Sequence, residues 1–157
     1  MKDSKLDIIK YLVSKGANVN YRHKKEGWTP LELACKIGHI NVIKYLLSKG
    51  ADINNVNKRK RTPLHEAIVS DQKNSNCNKL QIVKLLIDNG AKINTQSKGT
   101  KSSPLSSATA YGLTSIVKLL LSNGAKKNVK DTEKMTPLYI AEWNGFHSIV
   151  KLLNLKF

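Results

Sequence analysis

Four near-identical openings divide this chain: Thr29-Pro30-Leu31, Thr62-Pro63-Leu64, Ser103-Pro104-Leu105 and Thr136-Pro137-Leu138, beginning 33, 41 and 33 residues apart. An apolar pair soon followed by Gly-Ala comes after each of the first three, at Leu46-Leu47 to Gly50-Ala51, Leu85-Leu86 to Gly90-Ala91 and Leu119-Leu120 to Gly124-Ala125. A further copy of that second half, Tyr11-Leu12 to Gly16-Ala17, stands at the start with no opening before it. A unit of this size cannot bury its apolar face alone, so the repetition demands an array in which each unit stacks on its neighbours.

Each opening starts a helix for a physical reason. The Thr or Ser hydroxyl caps a free backbone N–H, and proline occupies the first helical position, where its missing donor costs nothing. Gly38, Gly112 and Gly145 stop these helices. A second helix follows in each unit, with a stripe such as Val42, Ile43, Leu46 and Leu47 at helical spacing, and ends at Gly50, Gly90 or Gly124. About a dozen polar residues then lead to the next opening, with Asn20, Asn54, Asn94 or Asn128 at one register. Turn formers there predict a tight hairpin projecting sideways.

Helix, turn, longer helix and hairpin at this period resemble the ankyrin repeat, and Thr62-Pro63-Leu64-His65-Glu66-Ala67 spells that family's T-P-L-H-x-A. Gly38-His39, Ile43, Leu46, Leu47, Gly50-Ala51 and Asn54 continue the pattern. The expected fold is an all-α solenoid of stacked helix-turn-helix units with projecting hairpins. It forms a single domain: an N-terminal half repeat at 1–20, then full repeats at 21–54, 55–94, 95–128 and 129–157. The insertion at 70–79 in the second full repeat is expected to form a solvated bulge or extra turn between its two helices.

Three departures from the family pattern carry expectations. Gly27 keeps the glycine that precedes the Thr-Pro, whereas Lys60, Lys101 and Lys134 stand elsewhere, which predicts irregular fingertips. The T-P-L-H histidine ties neighbouring loops in the family but survives only as His65. Glu32, Ser106 and Tyr139 replace it, which predicts lost stability there. Ile8, Ile9 and Leu12 lack the first helix that would normally cover them. The chain is therefore read as part of a longer protein, as masked at that end by another chain, or as a short protein with a tolerated half cap.

No catalytic or metal pattern emerges. The four histidines, His23, His39, His65 and His147, sit in different repeat positions, and H-E-x-x-H, G-x-S-x-G and P-loop patterns are lacking. No enzyme activity, cofactor or small-molecule substrate is expected. Cys35 falls where a small buried residue is wanted and Cys77 in the polar insertion, so both read as free thiols of a reducing compartment. With no long apolar run, no transmembrane segment is expected, and a cytoplasmic location follows, with the nucleus as an alternative.

In the family, partners are bound by the hairpin tips and the exposed side of the first helices. Carried onto this chain, that resemblance implicates Trp28, Arg61, Ser102 and Met135 before the openings. It also implicates Lys36-Ile37, Val69-Ser70, Ala110-Tyr111 and Trp143-Asn144 at the ends of the first helices. Both tryptophans fall in this set, and Trp, Tyr, Met and Arg are the residue types that anchor protein interfaces. Ile37, Val69 and Trp143 could equally pack against adjacent repeats.

The net charge of +16 comes from 24 Lys and 3 Arg against 11 acidic residues. Low-GC coding explains a Lys and Asn bias without selection for a basic surface. The hairpins nonetheless carry Arg22 to Lys25, then Lys58, Arg59, Lys60 and Arg61, then Lys98, Lys101, Lys126, Lys127, Lys130 and Lys134. Stacked tips lie about 8–10 Å apart, close to the Debye length of about 8 Å at physiological salt, so their fields reinforce one another. Lys58 to Arg61 also fits a short nuclear-import signal, against the simpler reading of solvated charge. Lys10, Lys44, Lys84, Lys118 and Lys151 share one register and read as a solvated convex face. The function implied is a non-catalytic protein-binding module for an acidic or amphipathic protein. A polyanion binder, for nucleic acid or an anionic membrane, and a spacer within a larger assembly are the alternatives.

Overall fold

The computed structural model describes residues 4–70 and 76–155. Among them lie α1 (Ser4–Ser14), α2 (Pro30–Ile37), α3 (Ile40–Ser48), α4 (Pro63–Val69), α5 (Asn76–Asp88), α6 (Pro104–Ala110), α7 (Thr114–Ser122), α8 (Pro137–Trp143) and α9 (His147–Asn154), and no strand. The inner helices α2, α4, α6 and α8 stack in sequence, and α3, α5, α7 and α9 each back one of them. Leu31, Leu64 and Leu105 are buried at matching places, as are Leu46, Leu86 and Leu120. Burying a leucine contributes about 1.5–3 kcal/mol, so this translational match drives the stacking.

The inner helices begin as their sequence dictates. Thr29, Thr62, Ser103 and Thr136 have extended backbones, and each hydroxyl accepts the backbone N–H three residues on, with proline at the first turn. At the far end Gly112 has φ +64°, and a Cβ there would meet the Phe146 ring at 3.1 Å, so both conformation and space call for glycine.

The fingertips are regular, contrary to the sequence expectation. Lys60, Lys101 and Lys134 adopt φ of 52°, 51° and 63°, the left-handed conformation that Gly27 adopts at 73°. Stacking enforces this shape: Lys58 N donates to Glu26 O, Lys98 N to Arg59 O and Thr132 N to Thr100 O, so each tip hangs on the one before it. Asn57 and Asp131 hold their own tips, each side-chain Oδ1 accepting two backbone N–H groups.

The asparagine register does more than turn the chain. Asn20 Nδ2 donates to Gly50 O and its Oδ1 accepts Asp52 N; Asn54 bonds Gly90 O and Lys92 N, and Asn94 bonds Gly124 O and Lys126 N. Each amide thus clamps the helix end of the following repeat. Two net hydrogen bonds are worth about 2 kcal/mol, so Asn54→Ala is expected to lose about that much in urea denaturation. Asn128→Ala, exposed at the same register and with no clamp onto the end of α9 among the described residues, serves as the control and should change little.

Of the two forms expected of the insertion, a solvated bulge or an extra turn, its described part takes the second. Residues 71–75 and the side chain of Cys77 lie outside the described residues, as does Phe157. Residues 76–79 form an added first turn of α5, which is 13 residues long against 9 for α3 and α7. Lys79 is buried, and its Nζ donates to Ile68 O at 3.1 Å and Ser70 O at 2.8 Å. α4 has no glycine stop and runs into an extended Ser70, so a lysine satisfies its last carbonyls. Asn78 Nδ2 donates to Gly38 O, tying the same turn to the preceding repeat.

Candidate functional site

At the T-P-L-H position, His65 is buried. Its Nδ1 accepts Thr62 N at 3.3 Å and its Nε2 lies 3.3 Å from Ser102 O, so the neutral ring carries its hydrogen on Nε2 and bridges to the next hairpin. Glu32 serves the same purpose with different chemistry, which corrects the expected loss. Its Oε2 accepts Thr29 N at 2.8 Å, Thr29 Oγ1 at 3.1 Å and, from the next hairpin, Asn55 Nδ2 at 3.1 Å. Burial raises the Glu32 carboxyl above its ordinary value, opposed by these bonds, and its Oε1 has no hydrogen-bond partner. At Ser106 the bond stays local, to Ser103 Oγ. Tyr139 is exposed and turned away to stack on Trp143, with ring centroids 6.2 Å apart. The family tie is thus kept in the first two full repeats by acid or imidazole. Burial likewise pushes up the fully buried Cys35 thiol.

These inner helices present two grooves. One, of about 600 Å³, runs across α4, α6 and α8 and brings together Arg61, Val69, Tyr111, Met135 and Trp143, with Tyr139 beside them. Trp143 is 78% and Tyr111 56% exposed, so both keep more than half of their surface open to solvent, whereas Val69 and Met135 are half-buried. The other, of about 1050 Å³, lies at the front of the array and holds Trp28, Lys36, Ile37 and Arg59. Ile37 is 51% exposed. Trp28 is half-buried, with Lys36 Nζ 4.8 Å above its ring, a cation–π contact that leaves it less available than an exposed anchor. Lys58 and Lys60 are exposed at a fingertip and line neither groove.

The charged tips are less uniform than the lysines alone suggest. Glu26 lines the front groove, and Asp131 and Glu133 line the other beside Arg61. Lys127 leaves the stripe altogether: its Nζ donates to Leu153 O and Leu155 O and closes the end of α9. Lys10, Lys44, Lys84, Lys118 and Lys151 are all exposed on the outer helices. Sequence reasoning missed the clamping asparagines and Lys79. The former were signalled by their fixed register, the latter by nothing local.

Paired helices stacked in register, with hairpins ranged along one side, define a helical-repeat scaffold. The family description "Ankyrin repeats (3 copies)" matches residues 1–77 and 72–156, and the chain belongs to the ankyrin-repeat family. Ankyrin repeats generally act as protein–protein interaction modules, and the family is typically non-catalytic. No curated protein matches the chain. Among the described residues no helix is long and apolar enough to cross a membrane, and no group of His, Cys, Asp and Glu could hold a metal ion.

Proposed function

We propose that this protein binds an acidic or amphipathic partner protein across α4, α6 and α8, drawn in by its basic fingertips and anchored on Trp143, Tyr139 and Tyr111. The observation that carries this reading is the exposed, stacked Tyr139–Trp143 pair beside Tyr111 in one groove. An aromatic surface left open to water at the centre of a groove is where interface energy concentrates. The excess of lysine supplies long-range attraction and raises the association rate, while the aromatic contacts set how long the complex lasts.

Partner capture from cell lysate, compared between wild type and a Tyr111→Ala/Trp143→Ala variant, tests this reading. The variant should lose capture of any partner seated here. Its melt should stay within about 0.5 kcal/mol of wild type, because exposed side chains away from the core contribute little stability. Undiminished capture would exclude the groove. Binding that ignores both aromatics and falls steeply with salt would instead mark a polyanion held by the fingertips.

A further inference from the structure

The front groove has a shape that the array itself explains. Each of α3, α5, α7 and α9 is backed by an inner helix, but among the described residues α1 packs on α3 and has none. Its Ile8 and Leu12 remain 60% and 50% exposed, and across the groove Leu33 and Ile37 of α2 are about as open. The space between is the place where the spacing of α2, α4, α6 and α8 would put one more inner helix. At one register those four helices carry Ala34, Ala67, Ala108 and Ala141, all buried, so an occupant at the same spacing needs a small residue there.

Two observations select the occupant. The outer position is already filled by α1, so the groove takes a single helix. The α8–α9 pair at the far end of a second copy would collide with α1. Among the groove's full charges, Lys5, Lys36 and Arg59 face one carboxylate, Glu26, and a second copy would bring a further +16. We propose that this groove docks one amphipathic helix of an acidic protein. Its small and apolar residues meet Leu33, Ile37, Ile8 and Leu12, and its carboxylates lie over Lys5, Lys36 and Arg59. This site is separate from the one across α4, α6 and α8.

The probe is a synthetic peptide of about 14 residues, long enough for three helical turns and a cap. It carries Thr-Pro-Leu-x-x-Ala and Glu at both ends. Trp143→Phe makes Trp28, which lines the groove, the single fluorophore. Titration should give a saturable shift in Trp28 emission. Ile37→Asp or Ile8→Asp, both at exposed positions, should weaken binding about tenfold or more, the equivalent of losing one buried apolar contact. Replacing the peptide's Glu by Lys should weaken it at least as much. Binding that ignores Ile37→Asp, or that accepts the Lys peptide equally, overturns the proposal. So does sedimentation showing that wild type self-associates and Ile37→Asp does not, since the occupant is then a second copy. Binding lost with Tyr111→Ala and kept with Ile37→Asp places the peptide in the other groove, and this proposal fails while the reading of that groove stands.

Discussion

Lys79→Met should destabilise the protein by about 3 kcal/mol, the sum expected when two buried carbonyls lose their donor. The ammonium of Lys79 is held by Ile68 O and Ser70 O, at the end of a helix that has no glycine to close it. Methionine keeps most of the length and apolar stem while removing all three donors, so the variant separates hydrogen bonding from packing. A lysine buried this way also sits favourably at the negative end of the α4 dipole. Urea denaturation of wild type and variant at neutral pH is the measurement. A change within about 0.5 kcal/mol would show that the carbonyls find other partners or that desolvating the charge had cancelled its bonds. The predicted effect is larger than that of Asn54→Ala because Lys79 is buried, whereas the Asn54 clamp lies near the surface.

The positions of helices were legible because their signals are local. Thr-Pro caps, glycine stops and apolar stripes each act within a few residues, and α2, α4, α6 and α8 begin at the prolines that the sequence marks. What escaped was set by contact between repeats. Lys60 reads as a break in the hairpin pattern, yet neighbouring tips hold it in the conformation of Gly27 against a cost of roughly 1–2 kcal/mol. Glu32 reads as a lost histidine. The donor it needs, Asn55, lies 23 residues on, in the next hairpin. The next hairpin instead offers His65 an acceptor, Ser102 O. A carboxylate suits the first place and an N–H the second, a distinction visible only once the tips are stacked. For the candidate surface, register placed Trp143 at the last residue of α8 and Tyr111 at the C-cap of α6. Their exposure depended on how much each neighbour covers, which a single repeat does not encode. Trp28, before the first opening, shows the converse: Lys36, the repeat counterpart of Trp143, lies over its ring.

Acid should remove about 3 kcal/mol of stability through His65 alone, the linkage value for its displaced titration. Burial, ahead of the nearby Arg61 charge, lowers its pKa from 6.5 to about 4, with the bond to Ser102 O opposing. A histidine held neutral in the fold but free to charge when unfolded stabilises the native state above the unfolded pKa. That contribution fades as pH falls through 6.5 and is spent near the folded value. Protonation also strips Nδ1 of the lone pair that accepts Thr62 N, so the reciprocal half of the capping box is lost with it. His65→Gln keeps a carbonyl for Thr62 N and an amide for Ser102 O but does not titrate. The variant is expected to be somewhat less stable than wild type near neutrality, where the ring fills its site better. Between about pH 7.5 and pH 4 it should lose about 3 kcal/mol less than wild type. Comparing the two proteins cancels the carboxylates that titrate in the same range. Parallel pH profiles would mean that His65 charges as readily in the fold as out of it, and the imidazole bridge between the second and third full repeats would then contribute nothing specific to neutral pH.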